Sequence, residues 1–148
     1  MASYVNQNLN NGEEVIALGE LHWFHFMHGA FAVAMGIVLL ISMPIPLGWL
    51  PILYGLFSLT GSLIYHYSTE LALTNKRLIA KFGFIRRNTI ELNHKNVESF
   101  KVEQNIFGRI FNFGTLSVNG TGGITTPIPH ISAPLEFRKT ALSTIEED

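Results

Sequence analysis

The sequence predicts a membrane α+β protein: a transmembrane helical hairpin followed by a small antiparallel β domain that closes with one C-terminal helix. Three observations carry this prediction. Residues 21–69 contain no Asp, Glu, Lys or Arg. That run is broken once, by the turn Pro44-Ile45-Pro46-Leu47-Gly48, and beyond Ser68 the apolar pattern changes from helical to alternating. Two hydrocarbon-spanning helices need about 20 residues each, whereas a helix of a soluble domain shows a charged face to water.

Residues 1–20 form the first part, a polar Asn-rich segment (Val5 to Gly12) followed by Glu14-Val15-Ile16-Ala17-Leu18-Gly19. The latter fits a short strand or an interfacial segment, and sequence alone does not choose between them. The hairpin follows over 21–68, with spanning helices at about 23–43 and 49–67. Trp23, Trp49, Tyr65 and Tyr67 stand at the depths where amphipathic rings collect. Pro51 falls in the first turn of the second helix, where its missing donor costs nothing. Ala30 with Ala34, Ala32 with Gly36 and Ser58 with Ser62 place small residues four apart, a spacing that lets helix backbones approach closely.

Residues 69–148 carry the β domain. Short runs at 70–74, 77–82, 87–92, 97–103 and 115–118 are rich in β-branched and aromatic residues, with turn signals at Asn75-Lys76, Gly83, Asn93 and Gly114. Gly120-Thr121-Gly122-Gly123 and Pro127 to Pro129 mark two further turns. The helix is expected over about 133–146, with Ser132 as its cap and Pro134 in its first turn. Phe137, Ala141 and Ile145 then fall on one face. About seven short strands and a single helix imply a bent sheet or a partly open barrel, plugged by the helix.

Charge sets the topology. The chain has 10 Lys and Arg against 11 Asp and Glu, and every Lys and Arg lies after residue 75. Lys76, Arg77, Lys81, Arg86 and Arg87 fall within about 20 residues of the membrane exit, the window of the positive-inside rule. The β domain is therefore expected in the cytoplasm, and a hairpin returns the N-terminal segment to the same side. The absence of Cys agrees with a reducing compartment. A pI near 6.6 and the lack of a basic stripe interleaved with aromatics argue against nucleic acid as a partner.

Catalysis finds little support. There is no cysteine nucleophile, and Asp148 is the only Asp, which excludes a buried Ser-His-Asp relay. Gly120-x-Gly122-Gly123 lacks the Lys and the strand-to-helix setting of a phosphate-binding loop, and reads as a β-turn. Histidines offer the sharper alternative. His22, His25 and His28 are spaced three apart, within an arc of about 120° on a helix, and His66 ends the second helix at nearly the same depth. Four imidazoles there fit a haem or transition-metal site, and they equally fit interfacial side chains with an apolar body and a polar tip. A hydrogen bond to Ser62 or to a helix carbonyl would satisfy His28, the deepest of the first three. His94 and His130 are expected on turns facing water.

Several segments, in order, carry a resemblance. Leu73-Thr74-Asn75-Lys76-Arg77-Leu78-Ile79, Gly83-Phe84-Ile85, Asn96 to Val102 and Phe107-Gly108-Arg109-Ile110-Phe111-Asn112-Phe113-Gly114-Thr115-Leu116 follow a lead-in of Gly12-Glu13-Glu14-Val15-Ile16 and Leu21-His22-Trp23. In this the chain resembles the bacterial PH-like (pleckstrin homology-like) domain membrane protein family over most of its length. The resemblance implies a two-helix membrane anchor carrying a cytoplasmic PH-like β domain with a C-terminal helix, in a bacterial inner membrane. It implies no enzymatic activity and no inositol phosphate site. Ala133 departs from the polar residue that usually precedes the helix-opening proline.

The function expected from these readings is a non-enzymatic interaction or scaffold module. It would bind a membrane protein partner or assemble with itself, with Phe107, Arg109, Phe111 and Phe113 as a docking knob, and it would need no cofactor. The alternatives are a metal or haem protein using His22, His25, His28 and His66, and a sensor of anionic lipid using Lys76, Arg77, Arg86 and Arg87.

Overall fold

A computed structural model describes residues 4–42, 46–83 and 88–146. The chain divides into two compact units. One is the β unit, built from the residues up to His22 and from Ser68 onward; the other is the helical unit Trp23–Tyr67.

The β unit has seven strands among the described residues. β1 (Val15–Gly19), β2 (Glu70–Thr74), β3 (Arg77–Phe82) and β4 (Asn88–Asn93) form one antiparallel sheet in that order. β5 (Val97–Glu103), β6 (Phe113–Gly120) and β7 (Ile124–Ser132) form a second. The ambiguous segment at 15–19 is thus a strand, with Gly19 opposite Leu71 and Ala17 opposite Leu73. A single bridge from Leu21 to Ile131 joins the two sheets at one corner. There the amide of His22 donates to the His130 carbonyl and the amide of Ser132 to the Glu20 carbonyl.

One core is shared by both sheets and the C-terminal helix. Leu71, Leu73, Leu78 and Leu92 from the first sheet meet Phe100, Leu116, Val118, Ile128 and Ile131 from the second, and Phe137 and Ala141 of the helix close it. That helix, running Pro134–Glu146, presents the face expected from the spacing of Phe137, Ala141 and Ile145. Its cap differs from expectation. Ser132 is the last residue of β7, and Ala133 takes the turn with φ of 45°, giving its amide to the Asn112 carbonyl.

Two features depart from the alternating pattern for identifiable reasons. β2 is buried on both faces from Leu71 to Thr74, because the N-terminal segment folds back as a four-residue helix, α1 (Tyr4–Gln7). It packs Val5 with Ala72 and Ile79. Glu70 accepts from the Tyr4 and Val5 amides, which fixes the start of this arm. Second, Pro127 and Pro129 lie inside β7 rather than in a turn. β7 is the outer strand of its sheet, where a missing amide leaves no ladder bond unmade. The Thr121–Gly123 turn between β6 and β7 holds Gly122 and Gly123 at φ of 93° and 78°, the left-handed region that favours glycine.

The helical unit opens with a 3-10 turn, Trp23–Phe26, that leads into α2 (Met27–Ser42). A second 3-10 turn, Pro46–Gly48, leads into α3 (Trp49–Ser68). The helices meet along glycines rather than along most of the small pairs the spacing suggested. A Cβ on Gly36 would stand 2.6 Å from the Gly48 carbonyl oxygen, and one on Gly55 would stand 2.7 Å from the Gly29 carbonyl oxygen. Of the anticipated small residues, Gly36 lies on this seam. By length and composition one helix among the described residues, Trp23–Ser42, is long and apolar enough to cross a membrane. α3 has the length, but Gly55, Ser58, Thr60, Gly61, Ser62 and His66 dilute its apolarity.

Candidate functional site

The basic cluster expected at the hairpin tips resolves into residues with different roles. Arg77 opens β3, and its guanidinium is engaged within the protein. Its Nε donates to Glu13 Oε1 at 2.9 Å, and its Nη2 reaches Glu13 Oε2 at 3.0 Å and the Asn8 carbonyl at 2.9 Å. Its Nη1 pairs with Glu91. The Glu13 side chain is fully buried and that of Arg77 is 14% exposed, so Arg77 clamps the N-terminal arm to the sheet instead of standing at an open tip. Lys76 is exposed and reaches the Asn11 carbonyl at 3.0 Å. Arg86 and Arg87 lie outside the described residues.

The clamp extends through the β2–β3 turn. Glu13 also accepts from Thr74 Oγ1 at 2.7 Å and from the Asn10 amide at 2.8 Å. Burial works against its charge, but hydrogen bonds from Arg77, Asn10 and Thr74, together with the Arg77 charge, outweigh it and hold its pKa below the ordinary 4.5. The hydrogen bond to Glu13 is the main cause that raises the pKa of Arg77. His94 is a further correction. It sits in the turn after β4 but is buried, with Nε2 at 3.0 Å from the Thr74 carbonyl oxygen.

The histidines of the membrane-surface reading separate. His25 and His66 come together in the helical unit, their rings stacked at 5.4 Å with an interplanar angle of 15°. Ser62 donates to the carbonyl of His25 at 3.2 Å, while His28 is exposed. His22 belongs to the β unit, where its ring stacks on Phe113 at 5.0 Å and burial lowers its pKa. Among the described residues no group of three or more His, Cys, Asp and Glu could hold a metal ion.

The segment named for its phenylalanines is a helix, α4 (Ile106–Phe111). Asn105 caps its start, accepting from the Gly108 amide, and Asn112 ends it in the left-handed conformation at φ of 56°. Gln104 Nε2 bridges the Gly108 and Phe113 carbonyls at 3.2 and 3.0 Å. Gly108 faces the domain so closely that a Cβ would come within 2.5 Å of the Phe113 carbonyl oxygen. The bulky residues point the other way: Ile106 is 75%, Phe107 58%, Ile110 68% and Phe111 43% exposed. Arg109 is exposed beside them. Phe113 corrects the expectation, being 4% exposed and part of the domain interior. Ile106 and Ile110 were missed because only the aromatics were weighed; their spacing of four was the available signal. Beside α4 runs a shallow groove lined by Glu103, Gln104, Phe113, Thr115, Pro129 and His130.

The Glu13–Arg77 clamp is structural, and the groove holds no convergent set of reactive groups. The exposed side chains of α4 form an apolar patch on the β unit.

Comparison with protein families supports the same architecture. The bacterial PH domain model matches residues 15–144, which takes in β1, the helical unit and every strand through most of the closing helix. Comparison with curated proteins and with solved structures returned no match. Domains of this class are generally interaction modules rather than catalysts. With antiparallel sheets closed by a C-terminal helix and a family match across most of its length, this chain belongs to the bacterial PH domain family.

Proposed function

We propose that the protein is a membrane-anchored, non-enzymatic PH-like binding module, held at the cytoplasmic face of the inner membrane by two spanning helices, α2 and α3. It works by docking a membrane protein partner or a second copy of itself. The observation that carries this is the exposure of the helical unit. In the window of Trp23–Ser42, 17% of residues are buried, and Ile41 and Phe57 are each 81% exposed. A core helix of a soluble domain hides such residues, whereas a helix in lipid displays them.

The place of the helices in the chain supports the anchor. They form the connection between β1 and β2, which are hydrogen-bonded neighbours, so both ends of the helical unit attach to one end of one sheet. Two attachments on adjacent strands, about 4.8 Å apart, limit how far the β unit moves from the bilayer. Tethering of this kind raises the effective concentration of membrane partners and lets weak contacts suffice.

Alkaline carbonate extraction of membranes tests the anchor: the protein is expected to stay in the pellet, and release into the supernatant overturns it. Labelling of the carboxyl end in intact cells tests the topology, with protection expected. Native mass measurement after mild-detergent purification tests the docking role, expecting a dimer or a retained subunit, and a bare monomer counts against it.

A further inference from the structure

We infer that the N-terminal arm, residues 4–12, is exchanged between copies: α1 of one chain docks on the β2–β3 face of a second and joins the two as a dimer. This rests on the self-docking proposed above and names the segment and the surface that perform it.

The face beneath the arm has the chemistry of a peptide site. Its polar groups address the main chain of the arm. Glu70 accepts from the Tyr4 and Val5 amides at 3.2 and 3.3 Å, Arg77 Nη2 donates to the Asn8 carbonyl at 2.9 Å, and Lys76 Nζ donates to the Asn11 carbonyl at 3.0 Å. A few side chains add specificity. Val5 is fully buried with Ala72 and Ile79, Leu9 packs beside it, and the Lys81 ammonium stands 4.7 Å from the centre of the Tyr4 ring. A surface that satisfies the backbone of a short segment and seats one or two of its side chains is a general form of peptide recognition. The segment seen to fit it in every one of these contacts is this arm, and each further copy of the chain supplies another.

The arm is held by that face and not by itself. Four residues of helix have no stability in isolation, and residues 6–8 and 10–12 are exposed. From Tyr4 to Gly12 there is no Asp, Glu, Lys or Arg, so two arms pass each other without repulsion. The base of the arm is fixed separately, by the buried Glu13 side chain on Arg77, which puts the hinge just before Glu13. Fully extended at about 3.3–3.6 Å per residue, residues 8–12 reach about 17 Å, well beyond the strand spacing of about 4.8 Å across β2 and β3.

The turn distinguishes the two arrangements. To dock on its own sheet the chain reverses at residues 10–13, where the Glu13 amide donates to the Asn10 carbonyl at 2.9 Å and Gly12 takes φ of 73°. An arm passed to a second copy runs through an extended hinge and makes the same contacts at its end. Folded-back and exchanged forms therefore differ chiefly at the hinge, which is the condition for swapping an element between identical chains.

Gly12→Val exploits that difference. A Cβ at Gly12 has room, its nearest neighbour being Lys76 Nζ at 3.9 Å, but the left-handed conformation is strained for a β-branched residue. The ratio of exchanged to folded-back arms should rise about tenfold. Full-length chains grown in light and in heavy nitrogen, each with a diazirine-bearing aliphatic residue in place of Leu9, are mixed equally in detergent. They are reconstituted together into vesicles of phosphatidylcholine and phosphatidylglycerol and irradiated. Cross-links from position 9 to Ala72 or Ile79 report the docked arm. Exchanged arms join light to heavy chains in about half of these, and folded-back arms in none. The inference expects mixed cross-links in the otherwise natural chain. Uniform cross-links alone overturn it, and so do mixed ones confined to Gly12→Val. Native mass measurement of chains without the probe gives an independent answer. The dimer should increase about tenfold relative to monomer in Gly12→Val and be lost in Val5→Asp, which puts a charge into the apolar seat. A dimer indifferent to both substitutions overturns the exchange while leaving the docking role standing, whereas a bare monomer in the natural chain removes both.

Discussion

Replacing Arg77 with Met should loosen the β unit far more than the loss of a surface ion pair would. The guanidinium makes four hydrogen bonds, to Glu13 twice, to Asn8 and to Glu91, and Met keeps the length of the stem without the charge. The consequence is set by what remains: Glu13, with a fully buried side chain, keeps its charge and loses the cation that pairs with it. Breaking a buried pair from one side costs about 3–5 kcal/mol, against about 0–1 kcal/mol for an exposed pair. Native-state hydrogen exchange of the reconstituted protein reads this locally. At about 1.4 kcal/mol per tenfold, amides of β2 and β3 should lose roughly two to three and a half orders of magnitude of protection. Glu13→Gln should cost about 1–3 kcal/mol, because the amide still accepts one hydrogen bond. The double variant should cost less than the sum, since the two residues share one interaction. Protection in Arg77→Met within about twofold of the parent would refute the clamp, and would reopen Arg77 as a residue available to lipid.

The clamp also predicts a pH dependence. Because the folded state holds the Glu13 pKa below 4.5, its contribution is complete above that value and is lost as pH falls through the lowered one. Protection of β2 and β3, corrected for intrinsic exchange, should fall below about pH 4.5, and the fall should be absent in Glu13→Gln. In the helical unit, a side chain at Gly55 meets Val33 at 2.6 Å and the Gly29 carbonyl at 2.7 Å. Gly55→Leu should cost about 1–3 kcal/mol by overpacking, and spin labels at positions 41 and 50 should report a longer distance between α2 and α3. The purified protein should show no Soret band and no stoichiometric metal by elemental analysis; either signal would restore the histidine reading.

Much of the β unit was legible because its strands obey local rules. The runs at 70–74, 77–82 and 97–103 are short segments set off by turn residues such as Asn75, Gly83 and Asn96, and the structure keeps their bounds. β1 was ambiguous because its partner β2 lies beyond the whole helical unit, so no neighbouring turn announces the pairing. β7 was read as turns because two prolines and a glycine pair outweigh its isoleucines locally, and only an edge position reconciles them. α4 escaped detection for a different reason. It is held by its caps, Asn105 and Asn112, and by Gln104 just before it, and a six-residue helix has almost no propensity signal of its own. Dependence on a distant residue hid the clamp: nothing near Arg77 in sequence signals that Glu13 will be buried beneath it. Of the candidate site, the sorting of Phe113 inward and Ile106 and Ile110 outward required the turn at Asn112.

Placing the helical unit inside the β1–β2 connection has a consequence for folding order as well as for position. A flexible loop as long as Trp23–Tyr67 makes pairing of Gly19 with Leu71 costly, since closure entropy grows as (3/2)RT ln n, about 3 kcal/mol for tens of residues. The helical unit removes much of that cost. α2 and α3 run antiparallel along the Gly29, Gly36, Gly48 and Gly55 seam, and packed helices lie about 8–10 Å apart. Their two free ends are therefore delivered close to strand-pairing distance before either strand forms. On this view the helical unit forms before the sheet closes, and the β unit completes itself only once the paired helices are in place.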